Sequence, residues 1–248
     1  MANGQNEQAE AGPSMPWYRR IIAVFAAPGE LFGHLSDRPD WILPTIVGVV
    51  IILLIMAVLA PRVILPMQEE AMMERLSSRP DVSPDEIDAM RQRVRGPIAM
   101  VSTLAGTAIM HPVALVIQAA VFYWVFLILG GELTYRKALS VAAYASLIAV
   151  LGVVLNAPLR ILKESLFAGT NLGILLPPES EGTFFHTLLV QVDLFTIWRL
   201  LVIAAGMAAI AKVSQAKARL TVGILWVVWI VISAGGSMLP RLMFGAAG

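Results

Sequence analysis

WILPTIVGVVIILLIMAVLA, residues Trp41–Ala60, decides the fold: it is twenty residues without a charge, opened by a tryptophan. At 1.5 Å per residue a helix of that length covers about 30 Å, the thickness of a bilayer's hydrocarbon core. Trp41 suits the membrane interface, and Pro44 sits in the first turn, where its missing N–H is not needed. Pro61 and Arg62 are predicted to close this first span.

Four more spans follow from the same reading. Pro97 to Gly131 is thirty-five residues without a formal charge if His111 is neutral. One helix of that length would measure about 52 Å, more than a bilayer needs. Pro112 is therefore predicted to divide it into a lead-in helix, 97–110, and a span at 113–130. A third span covers 138–155, with Asn156-Ala157-Pro158 expected to end it. A fourth runs 194–211, and a fifth covers 220–239, with Pro240 and Arg241 as its stop. Ala138, Ala142 and Ser146 repeat every four residues, which lets a neighbouring helix approach closely, and Ala204/Ala208 and Ala205/Ala209 do the same in span four.

The predicted fold class is all-α: a polytopic integral membrane helical bundle with five transmembrane helices plus interfacial helices, its membrane domain covering 41–240. The whole composition agrees, with 58% hydrophobic residues, 14% charged and a mean hydropathy of +0.76; soluble domains carry about 25% charged residues. Residues 1–16 are polar and read as a disordered tail. Trp17, Ile21 and Phe25 recur at helical spacing beside Arg19 and Arg20, so 17–40 reads as an amphipathic juxtamembrane helix, restarted after Pro28 and lying on the membrane. The 62–96 insertion is predicted to be an extramembrane helical pair, its second member opened by a capping box at Ser83-Pro84-Asp85-Glu86. Residues 160–192 mix apolar pieces with Gly, Pro and Glu, as in an interfacial loop with short helices.

The net charge of +1, without a dense Lys/Arg tract, excludes nucleic acid as a partner. Zero cysteines exclude disulfides and thiolate chemistry. The N-terminal stretch lacks a short basic region followed at once by an apolar core, so it is expected to stay cytoplasmic. With five spans the C-terminus then lies on the opposite side. Basic residues alone nearly balance, eight against nine, because the 62–96 insertion holds six arginines. The basic tight turns after spans two and four favour the N-terminus inside.

Catalytic motifs fail: there is no Gly-x-Ser-x-Gly, P-loop, Gly-x-Gly-x-x-Gly or His-Glu-x-x-His. Glu69-Glu70-Ala71-Met72-Met73-Glu74-Arg75 approaches the Glu-Glu-x-x-x-Arg of intramembrane prenyl-protein proteases, but its Arg is one place late and no histidine-bearing helix partners it. His34, His111 and His186 are scattered singly, so no metal or cofactor is expected. No enzyme is predicted.

The candidate functional residues are polar or aromatic groups at membrane depth. Arg199 lies about five residues inside span four, where a charge is costly unless it pairs or snorkels to the outer interface. Asp193, six residues earlier, is about 120° away and is expected at the helix N-terminus, where the dipole favours an anion. His111, beside Pro112, is expected to hydrogen-bond a carbonyl freed by the kink. Tyr135, Tyr144 and Trp198 read as packing or interface anchors, and Arg136 marks a basic turn.

Four stretches resemble the Yip domain family, five-span membrane proteins named in eukaryotes for interaction with Ypt/Rab GTPases and also common in bacteria. They are Pro28-Gly29-Glu30-Leu31-Phe32 leading to Pro39-Asp40-Trp41-Ile42-Leu43-Pro44; Gly130-Gly131-Glu132-Leu133-Thr134-Tyr135-Arg136-Lys137 and the alanine-rich run to Ala145; Asp193-Leu194-Phe195-Thr196-Ile197-Trp198; and Lys212-Val213-Ser214 through Lys217-Ala218. The resemblance covers about 20–240 and is closer to the bacterial members. It implies a five-span fold, a bacterial inner-membrane location and a non-enzymatic role. Rab binding is not carried over, because the match is to the membrane core. The expected function is a membrane scaffold or adaptor whose partners are the lipid bilayer and other membrane proteins or a second copy. The alternative is a subunit of a transporter or channel, motivated by Arg199 and His111-Pro112.

Overall fold

The computed structural model describes residues 15–77, 82–181 and 183–244. All but the last two residues of the expected N-terminal tail lie outside the described residues. The helices in chain order are α1 (Trp17–Ala26), α2 (Pro28–Asp37), α3 (Ile42–Leu59), α4 (Leu65–Ser77), α5 (Pro84–Arg95), α6 (Pro97–Ile128), α7 (Tyr135–Lys163), α8 (Phe184–Val190), α9 (Leu194–Ala211) and α10 (Gln215–Phe244). Among the described residues there is no strand. Five helices are long and apolar enough to cross a membrane: Ile42–Glu74, Pro97–Ile128, Tyr135–Lys163, Leu194–Ala211 and Gln215–Gly236. The chain is a multi-pass all-α membrane protein.

Helix α7 is the hub. Its membrane window is 72% buried, against 22% for the windows of α3, α6 and α10. α3, α6 and α9 pack directly on it, and α10 packs outside, on α9 and α8. The small residues explain the approach: Ala138, Ala142 and Ser146 are all buried. Gly152 leaves a notch for Phe195, where a Cβ would lie 2.7 Å from the ring Cγ. Gly206 leaves another for Val141 and Phe32, at 2.8 and 2.9 Å. In span four the small face is uneven, with Ala204 and Ala208 buried and Ala209 exposed.

At four prolines the sequence reading is corrected. Pro61 does not stop span one: the backbone widens into a π turn over Ala60–Ile64, with the Leu65 N–H donating to the Ala60 carbonyl, and helix resumes as α4. The wider turn accommodates a residue that has no N–H to give. Pro112 lies inside a continuous α6 of 32 residues, and Pro158 inside an α7 that runs on to Lys163. α10 likewise passes Pro240. A proline removes one helical hydrogen bond, and neighbouring helices hold the rest. Leu115, Ala119, Phe122 and Phe126 are buried beyond Pro112, and Ala157 packs with Leu59 and Val63 beside Pro158. α7 ends instead at Glu164, in the left-handed conformation (φ 50°).

The N-terminal pair packs into the bundle. α2 buries Leu31, Phe32 and Leu35 completely against α9 and α7, and α1 buries Ala23 and Val24. Arg20 donates to Asp40 at 2.6 Å, and the buried Tyr144 hydroxyl donates to the same oxygen at 3.3 Å. Tyr144 is nine residues into α7, about 13 Å along the axis from Tyr135. The pair therefore wedges below the level of the α6–α7 turn, with Trp17, Tyr18 and Ile22 left exposed on its outer face.

α4, which continues the first apolar helix, pairs with α5. The Ser83 cap closes both arms of its box with Glu86, and Glu69, only 8% exposed, accepts from Arg91 at 3.0 Å and from Arg95. This use of Glu69 is structural. α5 itself buries no residue. On the other face of the bundle, Lys212 pairs with Glu132 at 2.9 Å and Lys217 donates to the Leu129 carbonyl at 2.7 Å, fastening the two tight turns together.

Candidate functional site

The antiparallel register of α7 and α9 fixes the level of Arg199 along the bundle. Phe195 sits on Gly152 and Gly206 on Val141. Counting four residues on from the first contact, or seven back from the second, brings Arg199 level with Ile148. That is about 20 Å from Tyr135, close to the midpoint of the 29-residue α7. The arginine lies only about 8 Å from the first residue of α9. Its side chain turns inward across to α6, where Nη2 donates to Gln118 Oε1 at 2.8 Å, while Nε is shut off from solvent without a partner. An arginine inside a membrane helix is costly unless it pairs, and Arg199 has Gln118 as hydrogen-bond acceptor and Asp193 within electrostatic reach.

Asp193 is the N-cap of α9: its carboxylate accepts from the Phe195 N–H at 2.8 Å and from the Thr196 hydroxyl. The cap and the helix dipole hold it there, so it forms no ion pair with Arg199 among the described residues.

His111 lies seven residues before Gln118, on the same face of α6. It does not make the carbonyl hydrogen bond expected from the sequence. Its Nε2 is buried without a partner and points at the notch of Gly48 in α3, 3.4 Å from where a Cβ would be. Arg199 lies within electrostatic reach of it.

The other expected residues are separate from this centre. Tyr135 donates to the Val116 carbonyl at 3.0 Å and stands edge-on to Tyr123, pinning the start of α7 to α6. Arg136 is exposed at the turn, and its carbonyl accepts from Ser140. Trp198 stacks edge-on against Phe25 of α1, with centroids 5.9 Å apart, holding the N-terminal wedge.

Gln118 escaped the sequence reading because that reading looked for charges, and an amide inside an uncharged run carries none. Its signal was the register with His111. Asp40 and Arg20 were visible only as flanking charges. Among the described residues, no group of three or more His, Cys, Asp or Glu could hold a metal ion.

Comparison with known proteins follows the same outline. A model of the Yip1 domain matches residues 22–236. The membrane protein YknW of Bacillus subtilis (strain 168) is 24% identical over 216 residues, covering 86% of this chain and 87% of that protein. No solved structure matches the chain.

Proposed function

The chain belongs to the Yip1 domain family, and on that premise we propose that it is a non-enzymatic integral membrane scaffold or adaptor that associates with other membrane proteins. The observation that carries this reading is the α4–α5 hairpin. It is locked by Glu69 between Arg91 and Arg95 and leaves α5 without a buried residue. A helix kept rigid by its neighbour yet unburied is suited to docking. In-cell crosslinking from a photoreactive residue at Met90, 36% exposed on α5, tests it by mass spectrometry. One abundant, specific partner is expected; self-crosslinks only, or none, would overturn the adaptor role.

The proposed setting is a bacterial inner membrane with the N-terminus in the cytoplasm. The basic turns at Arg136–Lys137 and Lys212–Arg219 support this orientation. With no native cysteine to remove, single cysteines at Lys137 and Gln92 report it directly. An impermeant maleimide added outside spheroplasts should label Gln92→Cys and spare Lys137→Cys.

Arg199 and Gln118, paired between two spans, favour one second reading, a transporter or channel subunit, because intramembrane charges often line substrate paths. Solute flux in proteoliposomes that is unchanged by Arg199→Ala would retire it.

A further inference from the structure

The first half of α10 carries a groove of about 420 Å³, lined by that helix alone. Ala218 and Val222 on its inner side join the main core. On its outer side Leu220, Ile224, Val227 and Val228 are exposed and form the walls. Gly223 is the floor, where nothing lies within 4 Å of a would-be Cβ. Seven and eleven residues further on, along the same face as Gly223, Ile230 and Ala234 are buried. α8 packs on this far end, with Gln191 donating to Ser233. The groove is therefore blind. From Arg219 to Val228 it runs nine residues, about 14 Å, which is the depth of one leaflet of a hydrocarbon core about 30 Å thick.

Arg219 stands at the open end, exposed, about 6 Å from the first residue of α10. A long helical side chain points back toward the helix N-terminus, so its guanidinium reaches the membrane interface while its stem covers the groove mouth. It joins no ion pair among the described residues. Its neighbours in sequence are engaged, Lys212 with Glu132 and Lys217 with the Leu129 carbonyl. No aspartate or glutamate follows Asp193 in the sequence, so α10 supplies no acid of its own. A second copy meeting this face through its own α10 would set two such guanidinium groups at one level, which repel. A transmembrane helix needs a seam through the whole bilayer, and this groove closes after one leaflet.

We infer that the groove is a binding site for one anionic glycerophospholipid, whose phosphate takes Arg219 and one of whose acyl chains lies over Gly223. The planar guanidinium matches phosphate oxygens in a two-point hydrogen bond. A headgroup with net negative charge leaves that attraction whole, whereas a zwitterionic one brings its own cation against it. The site is independent of the adaptor reading and of Arg199.

The test is native mass spectrometry of the full chain in mild detergent, titrated with phosphatidylglycerol or phosphatidylcholine of the same acyl chains. The first phosphatidylglycerol should bind about tenfold more tightly than the first phosphatidylcholine. Arg219→Gln should remove that preference and Arg219→Lys should keep part of it. Arg136→Gln, which removes an exposed cation at the α6–α7 turn, should leave it unchanged. Gly223→Leu fills the floor and should weaken both lipids about tenfold. Thermal melts confirm that the variants fold. Equal binding of the two lipids, a preference that survives Arg219→Gln, or an equal loss in Arg136→Gln would overturn the inference. So would lipid binding unmoved by Gly223→Leu, or dimers that Gly223→Leu disperses, which would give the face to a second copy. Glycerophosphoglycerol, the same headgroup without chains, should not displace the lipid at equal concentration; if it does, the groove takes no part and the inference fails.

Discussion

Tyr144 and Asp40, 104 residues apart in sequence, meet at 3.3 Å, the tyrosine hydroxyl donating to the oxygen that also takes Arg20. This one carboxylate joins α1, the α2–α3 junction and the hub helix α7. Asp40→Ala leaves Arg20 without its acceptor in a part-buried site and is expected to cost about 2–3 kcal/mol, whereas Tyr144→Phe removes one neutral donor and should cost about 0.5–1.5 kcal/mol. Thermal melts in detergent order the two variants, and limited proteolysis near Ala27 should quicken in Asp40→Ala as the wedge loosens.

The Gly152 notch should tolerate no side chain. A Cβ there falls 2.7 Å from Phe195 Cγ, so Gly152→Ala must push α9 away from α7 at an expected cost of about 1–3 kcal/mol. Phe195→Leu in the same chain should recover part of the loss. Gly223, with nothing within 4 Å of its would-be Cβ, is the control: Gly223→Ala should be neutral or stabilise by up to about 1 kcal/mol. Equal melting temperatures for the two alanine variants would contradict the packing described.

Arg199 should weaken the isolated chain. Replacing the buried charge by Leu is expected to raise stability in detergent by about 1–3 kcal/mol. Gln118→Leu alone should lower it by a similar amount, because the arginine then loses its acceptor. The double variant should resemble Arg199→Leu, and strict additivity would mean that the two side chains are not coupled.

His34 gives a pH dependence with a definite sign. Burial, and then Arg20 and Arg38, hold its imidazole below the ordinary 6.5, while Asp37 opposes them. The unfolded chain therefore takes up a proton at a higher pH than the folded one. Stability contributed by neutral His34 is complete above 6.5, declines as the pH falls through that value, and stops declining once the folded imidazole is also charged. Melts at pH 8 and about pH 5.5 should show the lower value in acid, and His34→Gln should narrow the difference.

Hydropathy and spacing are properties of contiguous residues, and what depends on them could be read directly. Trp41–Ala60 had to be a span because no soluble core needs twenty uncharged residues in a row. Ser83 and Glu86 had to start a helix because their groups satisfy each other three residues apart. Asp193 at the head of Leu194–Ala211 is the same kind of local fact.

What the tertiary structure decided lies between helices. The sequence marks a missing N–H at Pro61, Pro112, Pro158 and Pro240, but whether a helix breaks there depends on what packs on either side, and in each case the helix or its π turn continues. The level of Arg199 along the bundle comes from two glycine notches that meet partners on other helices, and its acceptor is Gln118, 81 residues earlier. Apolar composition puts a segment in the membrane, whereas complementary shape between distant segments sets its register, and only register shows which polar side chains face one another.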